Sequence, residues 1–169
     1  KLLRYVNSAY FSIPQGIDSI RHACTMLGLD RVRICVTLLL LAEFESKPFE
    51  LMLNALSRAR MCQLLVNGSS ADATHRFFTV GLFSLLDAYL NRSLEDLLGE
   101  IPLSEEVRQA ILDQSGPAGL ALKTAIACER GEWGALQGTG QDLIELQRMH
   151  YAALNWTREV AKVLEDDLA

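Results

Sequence analysis

Apolar residues recur along the chain at helical spacing, and no strand-like alternation survives beyond four residues. Leu2, Leu3 and Val6 form a short stripe that reads as the end of a helix, stopped by Asn7-Ser8 and a loop through Pro14 and Gly16. Asp18 or Ser19 caps the next helix, which carries Ile20, Ala23, Cys24 and Leu27 and ends at Gly28 in a left-handed turn. Asp30 caps a helix that holds the Leu38–Leu41 run and lasts to about Phe44. Pro48 suits the first turn of a helix that continues to about Val66, and Asn67-Gly68-Ser69-Ser70 is a loop.

One long helix is expected from Ala71 to Asn91. Phe77, Phe78, Val80, Leu82, Phe83, Leu85 and Leu86 surround it almost completely, so it should lie deep. Ser93 caps a short helix ending at Gly99, and Ser104, with Glu105 and Glu106, suits another helix start. Gly116-Pro117 breaks that helix and opens the next, which runs to Glu129 or Arg130. Loops span Gly131–Gly134 and Gly138–Gly140. A final amphipathic helix runs from about Gln141 to Asp166, with Leu143, Leu146, Met149, Ala153, Val160, Val163 and Leu164 inward. The expected fold is an all-α, irregular multi-helix bundle.

Composition narrows the picture. The chain has 169 residues, half of them apolar and 7% aromatic, which suits one Leu/Ala-rich helical domain. Its net charge of −5 argues against a nucleic-acid partner. Lys1, Arg4, Arg21, Arg31 and Arg33 concentrate positive charge early, and Glu165, Asp166 and Asp167 close the chain; solvated helix faces explain both. Cys24, Cys35, Cys62 and Cys128 each fall in an apolar helical pattern and lack knuckle or CxxC spacing. They read as buried, reduced thiols of a cytoplasmic protein. The longest apolar run, Ile34 to Ala42, is too short to span a bilayer, and no signal peptide is evident. The sequence opens in mid-helix pattern without a cap, and is read as a fragment whose upstream portion is missing.

The segment Leu2-Leu3-Arg4-Tyr5-Val6-Asn7-Ser8-Ala9-Tyr10-Phe11 is followed by Ile17-Asp18-Ser19-Ile20-Arg21-His22-Ala23 and Leu27-Gly28-Leu29-Asp30-Arg31-Val32-Arg33. These three ordered segments resemble the HDOD domain, the HD-related output domain of bacterial signalling proteins. Val80-Gly81-Leu82-Phe83-Ser84-Leu85-Leu86-Asp87 and Glu129-Arg130-Gly131-Glu132-Trp133 resemble the version that follows an EAL domain, a cyclic di-GMP phosphodiesterase. The resemblance implies a single HDOD-like helical domain over 1–169, HD-superfamily-like without the metal site. The family's first helices and a linked EAL domain would lie upstream.

In the HD superfamily that this family resembles, a His, a His-Asp pair and a distant Asp hold metals for phosphate-ester hydrolysis. The pair follows Gly-Leu-Leu; here Gly81-Leu82-Phe83 is followed by Ser84-Leu85, a degenerate motif position. Leucine binds no metal and a neutral serine is a poor ligand. Asp87 is the only acid nearby and reads as a hydrogen-bonded or partly exposed helix acid. His22 and His75 read as surface or cap-adjacent residues, and His150 as a packing residue. No Gly-x-Ser-x-Gly elbow, phosphate-cradling loop or HExxH occurs, and Gly138-Thr139-Gly140 reads as a helix-entry turn. No catalytic residue, metal or cofactor is expected.

Asn7, Ser8, Tyr10 and Phe11 carry two readings. They cap a helix end and plug the core, or they form an interdomain recognition corner together with Arg21, Arg31 and Arg33. The expected function is a non-catalytic signal-transduction output or regulatory domain acting through protein contacts. Its partners would be an upstream EAL-type domain in cis, other signalling proteins and a second copy in a homodimer, with no nucleic acid or membrane. The alternative is a residual metal-dependent phosphohydrolase using Asp87. Small-molecule binding between helices stays open, because apolar pockets leave no motif.

Overall fold

A computed structural model describes residues 49–66, 70–137 and 140–168, with side chains through Lys162. The helices expected before Phe44, the proposed corner of Asn7, Ser8, Tyr10, Phe11, Arg21, Arg31 and Arg33, and His22, Cys24 and Cys35 lie outside the described residues. Within them the elements are α1 (Phe49–Leu65), α2 (Ala71–Phe83), α3 (Leu86–Leu90), α4 (Leu94–Glu100), α5 (Glu105–Leu112), α6 (Gly116–Glu129), a 3-10 turn (Trp133–Leu136) and α7 (Leu143–Leu168). The described residues contain no strand, and the fold class is all-α.

The chain divides into two compact units. One comprises Lys1–Leu53 and Trp156–Ala169; among its described residues Thr157, Val160 and Ala161 are buried. The other, Asn54–Asn155, holds the side-chain clusters and the cleft developed below.

Helix starts in this second unit follow the local chemistry of their first residues. The hydroxyls of Ser70, Ser93 and Ser104 accept the backbone N–H groups of Ala73, Asp96 and Val107, each satisfying a donor that the first turn leaves unpaired. Pro117 sits in the first turn of α6, where its missing N–H costs nothing. The N–H of Ile144 donates to the Asp142 carboxylate at 2.9 Å, so α7 begins at Leu143, two residues later than the pattern suggests, and runs to Leu168 instead of Asp166.

α6 is the centre of the unit. It packs against α2 and α5 and against the 3-10 turn. Ala118, Gly119, Ala121, Leu122, Thr124, Ala125, Ala127 and Cys128 are all buried along it. Small residues let neighbouring backbones come close. A Cβ on Gly119 would lie 2.2 Å from the carbonyl carbon of Gln114, a residue that takes a left-handed φ of 52° to fold the chain back onto α6. Around α6 the core gathers Met61 and Cys62 of α1, Val80 of α2, Leu97 and Leu98 of α4, and Val107, Ala110 and Ile111 of α5. Full burial of side chains such as Leu98 and Leu122 stabilises by about 2 kcal/mol each.

The single helix expected over Ala71–Asn91 is instead broken. α2 ends at Phe83 and α3 begins at Leu86, with Asn91 closing α3 in a left-handed conformation at φ 52°. The break falls on Ser84-Leu85. The Ser84 hydroxyl donates to the Gly81 carbonyl at 2.7 Å, three residues back, drawing that carbonyl off the helical ladder. Leu85 then adopts φ −121°, outside helical values.

Candidate functional site

The degenerate motif position is occupied by a hydrogen-bonded cluster. Gly81 is buried in α2 where α1 crosses it, and a Cβ there would stand 2.5 Å from the Ala59 Cα and 2.8 Å from the Arg58 carbonyl oxygen. The two helices therefore meet backbone to backbone. That approach brings the Arg58 side chain of α1 over the end of α2, where its Nη1 donates to the Ser84 hydroxyl at 3.0 Å. The other edge of the guanidinium grips Glu129, with Nε 3.0 Å from Oε2 and Nη2 2.9 Å from Oε1. This paired geometry is the strong form of a guanidinium–carboxylate contact.

Arg58 is 9% exposed and Glu129 33%. Glu129 is the last residue of α6, where a carboxylate meets the negative end of the helix, and Ser84 caps the C-terminus of α2. One fixed cation thus offsets unfavourable charge at two helix ends. It stands beside Ser84, the position read from the sequence as a degenerate motif, and its donor set does not fit a metal. Guanidinium offers five N–H donors and no lone pair, and its charge repels a second cation. Leu85 is half-buried hydrocarbon and Asp87 is exposed on α3. Among the described residues no three His, Cys, Asp or Glu side chains converge on one ion position.

The Glu129–Trp133 segment has a local explanation. Gly131, at φ 70°, ends α6 in a left-handed turn: the Glu132 N–H donates to Ala127 O at 2.8 Å and the Gly131 N–H to Cys128 O at 3.1 Å. The turn delivers Trp133 edge-on to His150 of α7, their ring centroids 6.2 Å apart at 75°. Burial holds the His150 imidazole below its ordinary pKa, while the Glu129 carboxylate pulls in the opposite direction. His150 is therefore a packing residue at the edge of the cluster, and His75 is half-buried one turn into α2.

The family signature of the HDOD domain matches residues 1–101, which is most of the chain. The chain belongs to the HDOD domain family. Curated proteins similar to this HDOD chain include cyclic di-GMP phosphodiesterase CdgJ of Vibrio cholerae serotype O1, 34% identical over 171 residues that cover 97% of this chain and 39% of that protein. Uncharacterized protein YuxH of Bacillus subtilis (strain 168) is 28% identical over 162 residues, covering 92% of this chain and 40% of its own length. The HDOD chain thus spans about two fifths of these relatives. No solved structure matches it. Among the described residues, no helix is long and apolar enough to cross a membrane.

Ser84 and Leu85 were legible as a changed motif, and Glu129 and Trp133 as part of a recurring segment. Arg58 was not singled out. Its signal was a charge on an otherwise apolar stripe, three residues after Ala55 and four before Cys62, both fully buried. A cation so placed needs an anionic partner from elsewhere in the fold.

Proposed function

We propose that this HDOD chain is a non-catalytic output domain in cyclic di-GMP signalling, acting through protein contacts on a linked EAL-type phosphodiesterase, which it regulates or scaffolds. The observation that carries this reading is Arg58. Beside Ser84, where the resemblance to the HD superfamily would put a metal ligand, a guanidinium is clamped between Ser84 and Glu129, a donor set that supports a non-catalytic reading. The name of the Vibrio relative supports the signalling context, since its length beyond the matched part leaves room for a separate phosphodiesterase domain.

The test compares the whole protein with a version lacking residues 1–169 in cyclic di-GMP hydrolysis and in oligomeric state. A change in either is the expected result. Unchanged hydrolysis and unchanged assembly remove the proposal. Stoichiometric metal in the purified chain, lost on Asp87→Ala, would support the phosphohydrolase alternative instead.

A further inference from the structure

Away from the Arg58 cluster, a cleft of about 320 Å³ runs along one face of α6. Leu120, Lys123, Thr124, Ala127 and Arg130 line it at helical spacing along one side of α6, with Thr124 and Ala127 buried at its floor. Gln114, beside the first turn of α6, lines one end; Ala135 and Leu136 of the 3-10 turn line the other. The volume is in the range of small-molecule sites.

The lining chemistry is specific. Leu136 is buried and Leu120 is 57% exposed, an unusual state for a leucine on the unit's central helix. Thr124 is 2% exposed, and among the described residues its hydroxyl has one contact, at 3.5 Å to the Gln141 side chain, the outer limit of a hydrogen bond. Its capacity is therefore hardly used. Lys123 and Arg130 are seven residues apart and so project from the same side of α6, flanking Ala127. Lys123 forms no ion pair among the described residues, and Arg130 has a loose one, 3.9 Å to Glu132. Glu132 also lines the cleft, which therefore carries two cations against one carboxylate beside an apolar floor, an excess of one positive charge in a chain of net charge −5.

We propose that this cleft binds a small organic anion. The apolar body of the ligand lies on Leu120, Ala127 and Leu136, its acid group meets Lys123 and Arg130, and a polar substituent reaches the Thr124 hydroxyl. The site is separate from the Arg58 cluster and gives the domain a ligand input that does not depend on its protein contacts.

The probe is 1-anilinonaphthalene-8-sulfonate, which joins an aromatic body to a sulfonate. N-phenyl-1-naphthylamine, the same body without the acid, is the neutral comparison. Fluorescence titration and calorimetry on the native chain should show one equivalent of the sulfonate bound. Lys123→Glu with Arg130→Glu should weaken that binding by at least about tenfold and leave the neutral compound nearly unchanged. Ala135→Trp, placed on the exposed rim, should block both compounds. Near-UV circular dichroism and thermal unfolding identify any variant loosened enough to bind dye non-specifically. Absence of sulfonate binding, or binding of several equivalents indifferent to Ala135→Trp, overturns the site. Equal loss of both compounds on charge reversal overturns its preference for anions.

Discussion

Arg58 and Glu129 are 71 positions apart in sequence and meet in a two-pronged contact of 3.0 and 2.9 Å. Arg58 belongs to the portion matched by the family signature, and Glu129 lies beyond it. The pair therefore ties the recognised part of the chain to the helix at the centre of its core.

Removing either partner should be costly. Glu129→Ala leaves Arg58, almost wholly buried, with the Ser84 hydroxyl as its remaining partner in the cluster, and should destabilise by about 2 kcal/mol; the full penalty of a buried charge is reduced because Glu129 is one-third exposed. Arg58→Ala should cost a similar amount, and the double variant clearly less than the sum. Urea unfolding of the four proteins measures the coupling, and additivity within about 0.5 kcal/mol would show that the contact contributes nothing.

Two glycines should respond in opposite senses. Gly81→Ala forces a methyl into the backbone of Ala59, which cannot rotate away, and should cost about 3 kcal/mol or prevent folding. Gly99→Ala meets nothing closer than the end of the Arg108 side chain at 4.0 Å and lies in the last turn of α4, so it should stabilise by about 0.5 kcal/mol. Thermal melting of both variants checks the pair, and a tolerated Gly81→Ala would contradict the close crossing of α1 and α2.

Much of this architecture was readable before any coordinates. The serine caps of α4 and α5 act within three residues of their own position, and Pro117 marks the start of α6 by its own covalent geometry. The break at Ser84-Leu85 was not readable, because apolar residues continue across it and helical periodicity carries no record of a hydroxyl turning back to Gly81 O. The 3-10 turn at Trp133–Leu136 falls in a stretch whose glycines suggested only a loop. The cluster was half readable: Ser84-Leu85 in place of a His-Asp pair is a statement about residue types, whereas the Arg58 contacts with Ser84 and Glu129 span 26 and 71 residues.

Cys62 and Cys128 should be unreactive thiols. Burial raises Cys62 to about 12 from 9.0, against a smaller opposing pull from Arg58, and raises Cys128 to about 11. Their contribution to stability is fully present below the unfolded value near 9 and declines as pH rises towards 11 and 12, because only the unfolded chain loses these protons there. Burial raises Tyr89 as well, in the same sense. Peptide-resolved alkylation at pH 8 should leave both cysteines unmodified until denaturant is added; labelling at the rate of a free thiol would refute their burial.

His150 offers a pH readout of the cluster. Its midpoint by NMR should lie below 6.5, and Glu129→Gln should lower it further by removing the carboxylate that favours the imidazolium. A depressed folded value means that this residue's contribution to stability is present above pH 6.5 and is lost as pH falls through the folded midpoint. A midpoint unmoved by Glu129→Gln would place the imidazole outside the carboxylate's field.

The contact at Gly81 limits what any substitution at 84 and 85 could build. Histidine and aspartate introduced at 84 and 85 would stand where α2 has ended, beside a positive charge carried on a backbone crossing that tolerates no added atoms.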